Sequence, residues 1–141
     1  MVAITGFKGK MLEVGKPFEK VRNRVMEILD GRLVITCNGT SDFKSLDIPA
    51  NQVENFEFHH FWTKWSGQCT KYGIKTSQPI GLKRLYKHYF KEEIQTGTHD
   101  ALVDARATIR LFKEAYCPWA KINSPNSKYF VNKDDEFSVI K

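Results

Sequence analysis

The sequence predicts an α/β fold, and three observations carry that expectation. A short β-branched run, Leu33 to Cys37, follows an amphipathic stretch. Two further stretches, 81–91 and 101–116, place apolar residues at helical spacing. Gly, Pro and Asn punctuate the joins. The 141 residues suit one ordinary domain with a core of its own.

Residues 1–16 are Gly-rich and read as a loop. Pro17 then stands where a helix tolerates proline, and Phe18, Val21, Val25, Ile28 and Leu29 follow at helical spacing, so 17–29 is predicted helical. Asp30-Gly31 stops it. Leu33 to Cys37 reads as a buried parallel strand. Asn38-Gly39-Thr40 is a turn, and its match to a glycosylation sequon is read as accidental. Ser41 is the expected cap of a short helix through Leu46 with Asp42 in its first turn. Val53 to Phe58 is a second strand candidate, and 59–80 reads as loops around a short helix. Residues 81–91 form a helix with an apolar stripe and a basic outer face. Thr98 or Asp100 caps the next helix, whose buried face is Leu102, Ala105, Ile109, Phe112 and Tyr116, with Pro118 beyond its end. The expected domain is 1–119. Residues 120–141 are a tail, with a possible hairpin around 129–131 and 137–140.

Composition narrows the class. An apolar share of 41 % with 13 % aromatics excludes a disordered or fibrous chain. No apolar run reaches membrane-spanning length, and the N-terminus shows no signal peptide. Cys37, Cys69 and Cys117 are scattered and odd in number, which argues against a disulfide framework. The expectation is an intracellular protein, nuclear or cytoplasmic and not secreted, with reduced thiols.

The net charge of +6 is concentrated. From Phe58 to Phe90 there is no acidic residue, while Lys64, Lys71, Lys75, Lys83, Arg84 and Lys87 lie within and Lys91 follows. Phe58, Phe61, Trp62, Trp65, Tyr72, Tyr86, Tyr89 and Phe90 are interleaved with them. Cations neutralise phosphates and aromatic faces stack on unpaired bases, so Lys64, Trp65, Lys71, Lys75, Lys83, Arg84 and Lys87 are the candidate contacts to single-stranded nucleic acid. The competing reading is a solvated basic face over an aromatic core.

The most specific segment is Thr98-His99-Asp100-Ala101-Leu102-Val103-Asp104-Ala105-Arg106-Ala107-Thr108. It resembles the third exonuclease motif of the DEDDh 3′–5′ exonucleases, a ribonuclease H-like family, and is closest to the interferon-stimulated RNA exonuclease subfamily. Gly81-Leu82-Lys83-Arg84-Leu85 resembles the Ser-Leu-Lys-x-Leu helix upstream of that motif. Leu33-Val34-Ile35 through Ser41-Asp42-Phe43-Lys44-Ser45-Leu46 resembles the second motif, and Ile4-Thr5-Gly6 with Pro17-Phe18 resembles the lead into the first long helix. The resemblance spans 3–116.

It implies a site in which Asp42 and Asp104 are metal-binding carboxylates and His99 is the general base. Phosphodiester cleavage of this type uses two cations, one activating water and one stabilising the leaving oxygen, and Mg2+ or Mn2+ requires hard carboxylate oxygens. The resemblance also shows a departure. The family's first motif, Asp-x-Glu on the first strand, would precede Ile4, so a truncated domain with a reduced sheet and a weak or absent metal site is expected. Cys37 and Asn38 stand where the subfamily often has His and Asp. Asp134-Asp135-Glu136 supplies one Asp-x-Glu in the tail, which reads as a solvated turn.

Three functions compete. The first is a nucleic-acid-binding relative without catalysis, RNA favoured. The second is an active exonuclease completed by Asp134 and Glu136 or by another chain. The third is an interaction module that pairs with a second copy or another protein at an exposed sheet edge.

Overall fold

A computed structural model describes residues 8–124; the N-terminal Ile4-Thr5-Gly6 and the expected hairpin beyond residue 124 lie outside them. After a 3-10 turn at Gly9–Leu12, helix α1 spans Phe18–Leu29. Strand β1 is Val34–Thr36, α2 is Gly39–Ser45 and β2 is Asn55–Glu57. A single turn, α3, covers Phe58–Phe61, then β3 is Thr63–Cys69 and β4 is Lys75–Pro79. Helix α4 is Leu82–Phe90, α5 is Ala101–Leu111, and a π-helical turn at Phe112–Tyr116 leads into α6, Cys117–Asn123.

The strands form two separate pairs. β1 and β2 are parallel with Ile35 opposite Phe56, and the amide of Val34 donates to Glu54 O at 2.8 Å. The other edge of β1 pairs with no described strand. Alternation along β1 sends its side chains into two cores. Leu33, Ile35 and Cys37 pack against the larger one, built on Phe56, Phe58, Leu85, Tyr86, Leu111, Phe112 and Tyr116. Val34 packs with Val25, Met26 and Leu29 of α1 against Phe43, Ile48 and Val53. The parallel pair therefore packs on both faces, but the run from Leu33 to Cys37 is half-buried where a buried strand was expected, because it also lines an open groove.

Aromatic rings fill the larger core. The ring of Phe56 lies 4.4 Å from that of Tyr116 and 4.9 Å from that of Phe112, and Phe58 meets Trp62 edge-on at 4.7 Å. Most of the aromatics in the acid-free segment thus serve packing, and the core reading holds for Phe58, Phe61, Trp62, Tyr86 and Phe90. Arg110 joins α5 to α4: its guanidinium donates to Tyr86 Oη at 2.6 Å and to Glu92 at 2.9 Å and covers the ring of Phe90 at 4.0 Å.

Four local expectations need correction. Asn38, at φ 73°, precedes α2 and begins it at Gly39, so Ser41 lies inside the helix and its carbonyl accepts from the Ser45 hydroxyl. Residues 63–79 form an antiparallel hairpin where loops were expected, closed by Gly73 at φ 76° and irregular near Gly67 at φ 85°. A left-handed conformation at both positions is one that glycine adopts without steric cost. Leu102 and Ala105 are exposed, and the buried face of α5 is Ala107, Thr108 and Leu111. Finally, the helix does not end before Pro118. The Cys117 amide donates to Phe112 O, a widened turn that sets Pro118 at the start of α6, where a missing N–H leaves no bond unmade. Packing runs through fully buried Ala120. Of the two candidate caps of α5, Asp100 is the one used, accepting from the amides of Leu102 and Val103.

Candidate functional site

Parallel strands leave their carboxyl ends open to a crevice, and side chains just beyond those ends meet there. Here β1 runs into Cys37, Asn38 and then α2 with Asp42, while β2 runs into His59. Across from them, the loop from α4 to α5 delivers Gln95 and His99, and the first turns of α5 deliver Asp104. All seven residues line one groove of about 840 Å³, which follows β1 between α1 and α5. The three residues that the exonuclease resemblance singles out, Asp42, His99 and Asp104, are thus brought together.

Asp104 is held from two sides. Gln95 Nε2 donates to its Oδ1 at 2.7 Å, and His99 Nδ1 stands 3.7 Å from its Oδ2, beyond hydrogen-bond distance. Gln95 takes a left-handed backbone, φ 56°, and its carbonyl accepts from Lys83 Nζ at 3.1 Å. One cation of the basic helix is in this way coupled through Gln95 to the carboxylate of the groove.

Glu57, at the end of β2, has a different task. Its carboxylate accepts from the amides of Asn38, Gly39 and His59 at 2.8–2.9 Å and from the Thr36 hydroxyl at 3.0 Å. Burial raises its pKa, but these donors outweigh burial and hold it below the ordinary glutamate range. The same charge acts on its neighbours. Burial first and Glu57 second push the Asp42 carboxyl up, and burial with Glu57 lifts the Cys37 thiol to about 11. Cys37, 3.7 Å from His59 Nε2, is consequently a neutral thiol at physiological pH.

Two or more hard divalent cations would need several carboxylates pointing at one volume. Asp42 and Asp104 line the groove, but Glu57 is turned onto backbone amides and one Asp104 oxygen is engaged by Gln95. Among the described residues, no group of three or more His, Cys, Asp or Glu side chains is arranged to hold a metal ion. These residues do not fit a paired Mg2+ or Mn2+ centre by themselves. Asp134 and Glu136 lie outside the described residues.

The cationic candidates fall into two places. Lys83, Arg84 and Lys87 are on α4, whose N-terminal Gly81 and Leu82 line the groove. Arg84, Lys87, His88 and Lys91 surround a shallow surface notch, and Lys87 is ion-paired with Glu93. Lys64, Trp65, Lys71 and Lys75 sit on the β3–β4 hairpin. Sequence reasoning missed Glu57, Gln95, His59 and Arg32, which also lines the groove. None carries a spacing signal, because each reaches its place through tertiary structure.

Comparison with known proteins fixes the class. Residues 1–112 match the RNase_T family, described as "Exonuclease", so the chain belongs to this exonuclease family and its α/β architecture is of the ribonuclease H-like type. More particularly, it is similar to RNA exonuclease 4 of Xenopus laevis, 28 % identical over 119 residues, covering 83 % of this chain and 26 % of the relative. It is also similar to interferon-stimulated 20 kDa exonuclease-like 2 of Bos taurus, 26 % identical over 118 residues, covering 82 % of this chain and 32 % of the relative. RNA exonuclease 4 of Saccharomyces cerevisiae is 24 % identical over 122 residues, with 85 % and 39 % covered. The chain thus spans between 26 % and 39 % of the length of these relatives. Among the described residues, no helix is long and apolar enough to cross a membrane.

Proposed function

We propose that this chain binds single-stranded nucleic acid, RNA favoured, in the groove of Asp42, His99 and Asp104, and that its own residues hold the strand without cleaving it. The observation that supports this most is the shared groove at the carboxyl ends of β1 and β2, bordered by the basic helix α4. Family membership supports a nucleic-acid ligand, and the names of the relatives favour RNA. In the complex, Lys83, Arg84 and Lys87 neutralise phosphates. Gln95 keeps Asp104 in place, and His99 offers its imidazole to a terminal hydroxyl.

In a complete family site, His99 would take a proton from water while Asp42 and Asp104 held cations. Among the described residues the donor set, with Glu57 committed to backbone amides, supports binding without turnover. The test is incubation of labelled single-stranded RNA and DNA with the protein and manganese. Retained binding without shortening is the expected result. Shortening that Asp104→Ala and Glu136→Ala each abolish would establish the active-exonuclease reading, with the tail acids completing the site. The edge of β1 that pairs with no described strand favours the interaction-module reading, which requires concentration-dependent self-association and no oligonucleotide binding.

A further inference from the structure

The β3–β4 hairpin holds its side chains in the open. None of its side chains is buried, and the half-buried pair, Ser66 and Thr76, bond each other. It nonetheless carries large apolar groups in the open: Trp65 is 60 % exposed, Tyr72 77 % and Ile74 64 %. An ammonium lies beside each exposed ring, Lys75 Nζ 5.7 Å from the Trp65 centroid and Lys71 Nζ 5.0 Å from that of Tyr72. No acidic residue occurs anywhere between Phe58 and Phe90. The base is anchored, since the Ile80 amide donates to Trp62 O at 3.1 Å, and the next residues, Gly81 and Leu82, line the groove.

A hairpin that buries nothing gains little from its aromatic side chains, and clustered exposed apolar groups mark a contact surface. The chemistry of that contact follows from the pairing of ring and cation. A ring face stacks on any unpaired base, and the ammonium beside it meets the phosphate of the same nucleotide. Paired bases hide their faces in the helical stack, so a duplex offers the rings nothing.

We propose that the hairpin is a second binding element, a stacking arm in which Trp65 and Tyr72 take unpaired nucleobases and Lys64, Lys71 and Lys75 take their phosphates. This rests on the nucleic-acid reading above and extends it: a strand is held at two places, the groove and the arm, and affinity grows with length beyond what the groove covers.

The test compares oligouridylates of about four and about sixteen nucleotides, the limits of common single-strand site sizes, by fluorescence anisotropy. The wild-type protein is expected to bind the longer strand more tightly. The double variant Trp65→Ala, Tyr72→Ala is expected to lose about tenfold or more of that length-dependent gain, and Trp65→Phe with Tyr72→Phe, which keep flat rings, to restore most of it. Thermal melts confirm folding, and Lys71→Gln with Lys75→Gln provides a second route through a shallower salt dependence. A long-to-short affinity ratio unchanged by the alanine pair, or phenylalanines no better than alanines, overturns the arm while leaving the groove standing. Failure of the wild-type protein to bind either strand overturns the groove reading and the arm with it.

Discussion

Glu57 and Asp42 are two carboxylates with opposite energetic signs. Glu57 is held below its ordinary pKa of 4.5, so its ionised form stabilises the fold; that contribution is present above 4.5 and is lost as pH falls through the lowered folded value. Glu57→Gln is expected to cost about 1–3 kcal/mol at neutral pH, because its amide oxygen replaces a charged acceptor of several donors. Chemical denaturation at pH 7 and at pH 3 checks it, with the difference between the proteins shrinking in acid. Asp42 is raised above its ordinary 3.8 by burial and by Glu57, so its ionised form opposes folding above that range and ceases to do so once protonated. Asp42→Asn is expected to raise stability at neutral pH by less than about 1 kcal/mol, solvent screening being substantial at this exposed side chain. A small gain that disappears in acid is the signature.

At the scale of the elements, the join of β1 to α2 is tight. A Cβ added at Gly39 would fall 2.5 Å from Thr36 Cβ and Cγ2 and 2.7 Å from its Oγ1, and Thr36 is itself tied to Asn55 and Glu57. Gly39→Ala is expected to cost about 1–3 kcal/mol, measured by denaturant melts, and to displace Asp42 with α2. The elements also show what could be read in advance. Helices α1 and α4 and strand β1 were legible from a periodic apolar stripe or run, which α4 buries at Leu85 and Tyr86 and which is at most half-buried on α1 and β1. The hairpin was not, since Thr63–Cys69 is exposed almost throughout and has no buried face to impose alternation. Nor was the π-helical turn, whose widened register is set by packing of Phe112 and Tyr116 and hides behind an ordinary helical pattern. The site was half legible. Asp42, His99 and Asp104 stand in ordered motifs, whereas Glu57 and Gln95 act through hydrogen bonds to distant backbone and side chains.

At the scale of the whole molecule, two cores flank one parallel strand pair, and the groove opens where that pair ends. Phe112 is fully buried among aromatic rings, and Phe112→Ala is expected to cost about 3–5 kcal/mol by thermal or denaturant unfolding. The excess positive charge lies on α4 and the hairpin, outside both cores, where it can meet phosphates. The most direct test is therefore the affinity for a single-stranded oligonucleotide as a function of salt, for the wild-type protein and for Lys83→Gln, Arg84→Gln, Lys87→Gln combined. The expected result is binding at low salt that weakens linearly on logarithmic axes, with a slope that flattens by about 0.7 for each phosphate contact the variant loses. Absence of binding at low salt, or a slope the three substitutions leave unchanged, would contradict it.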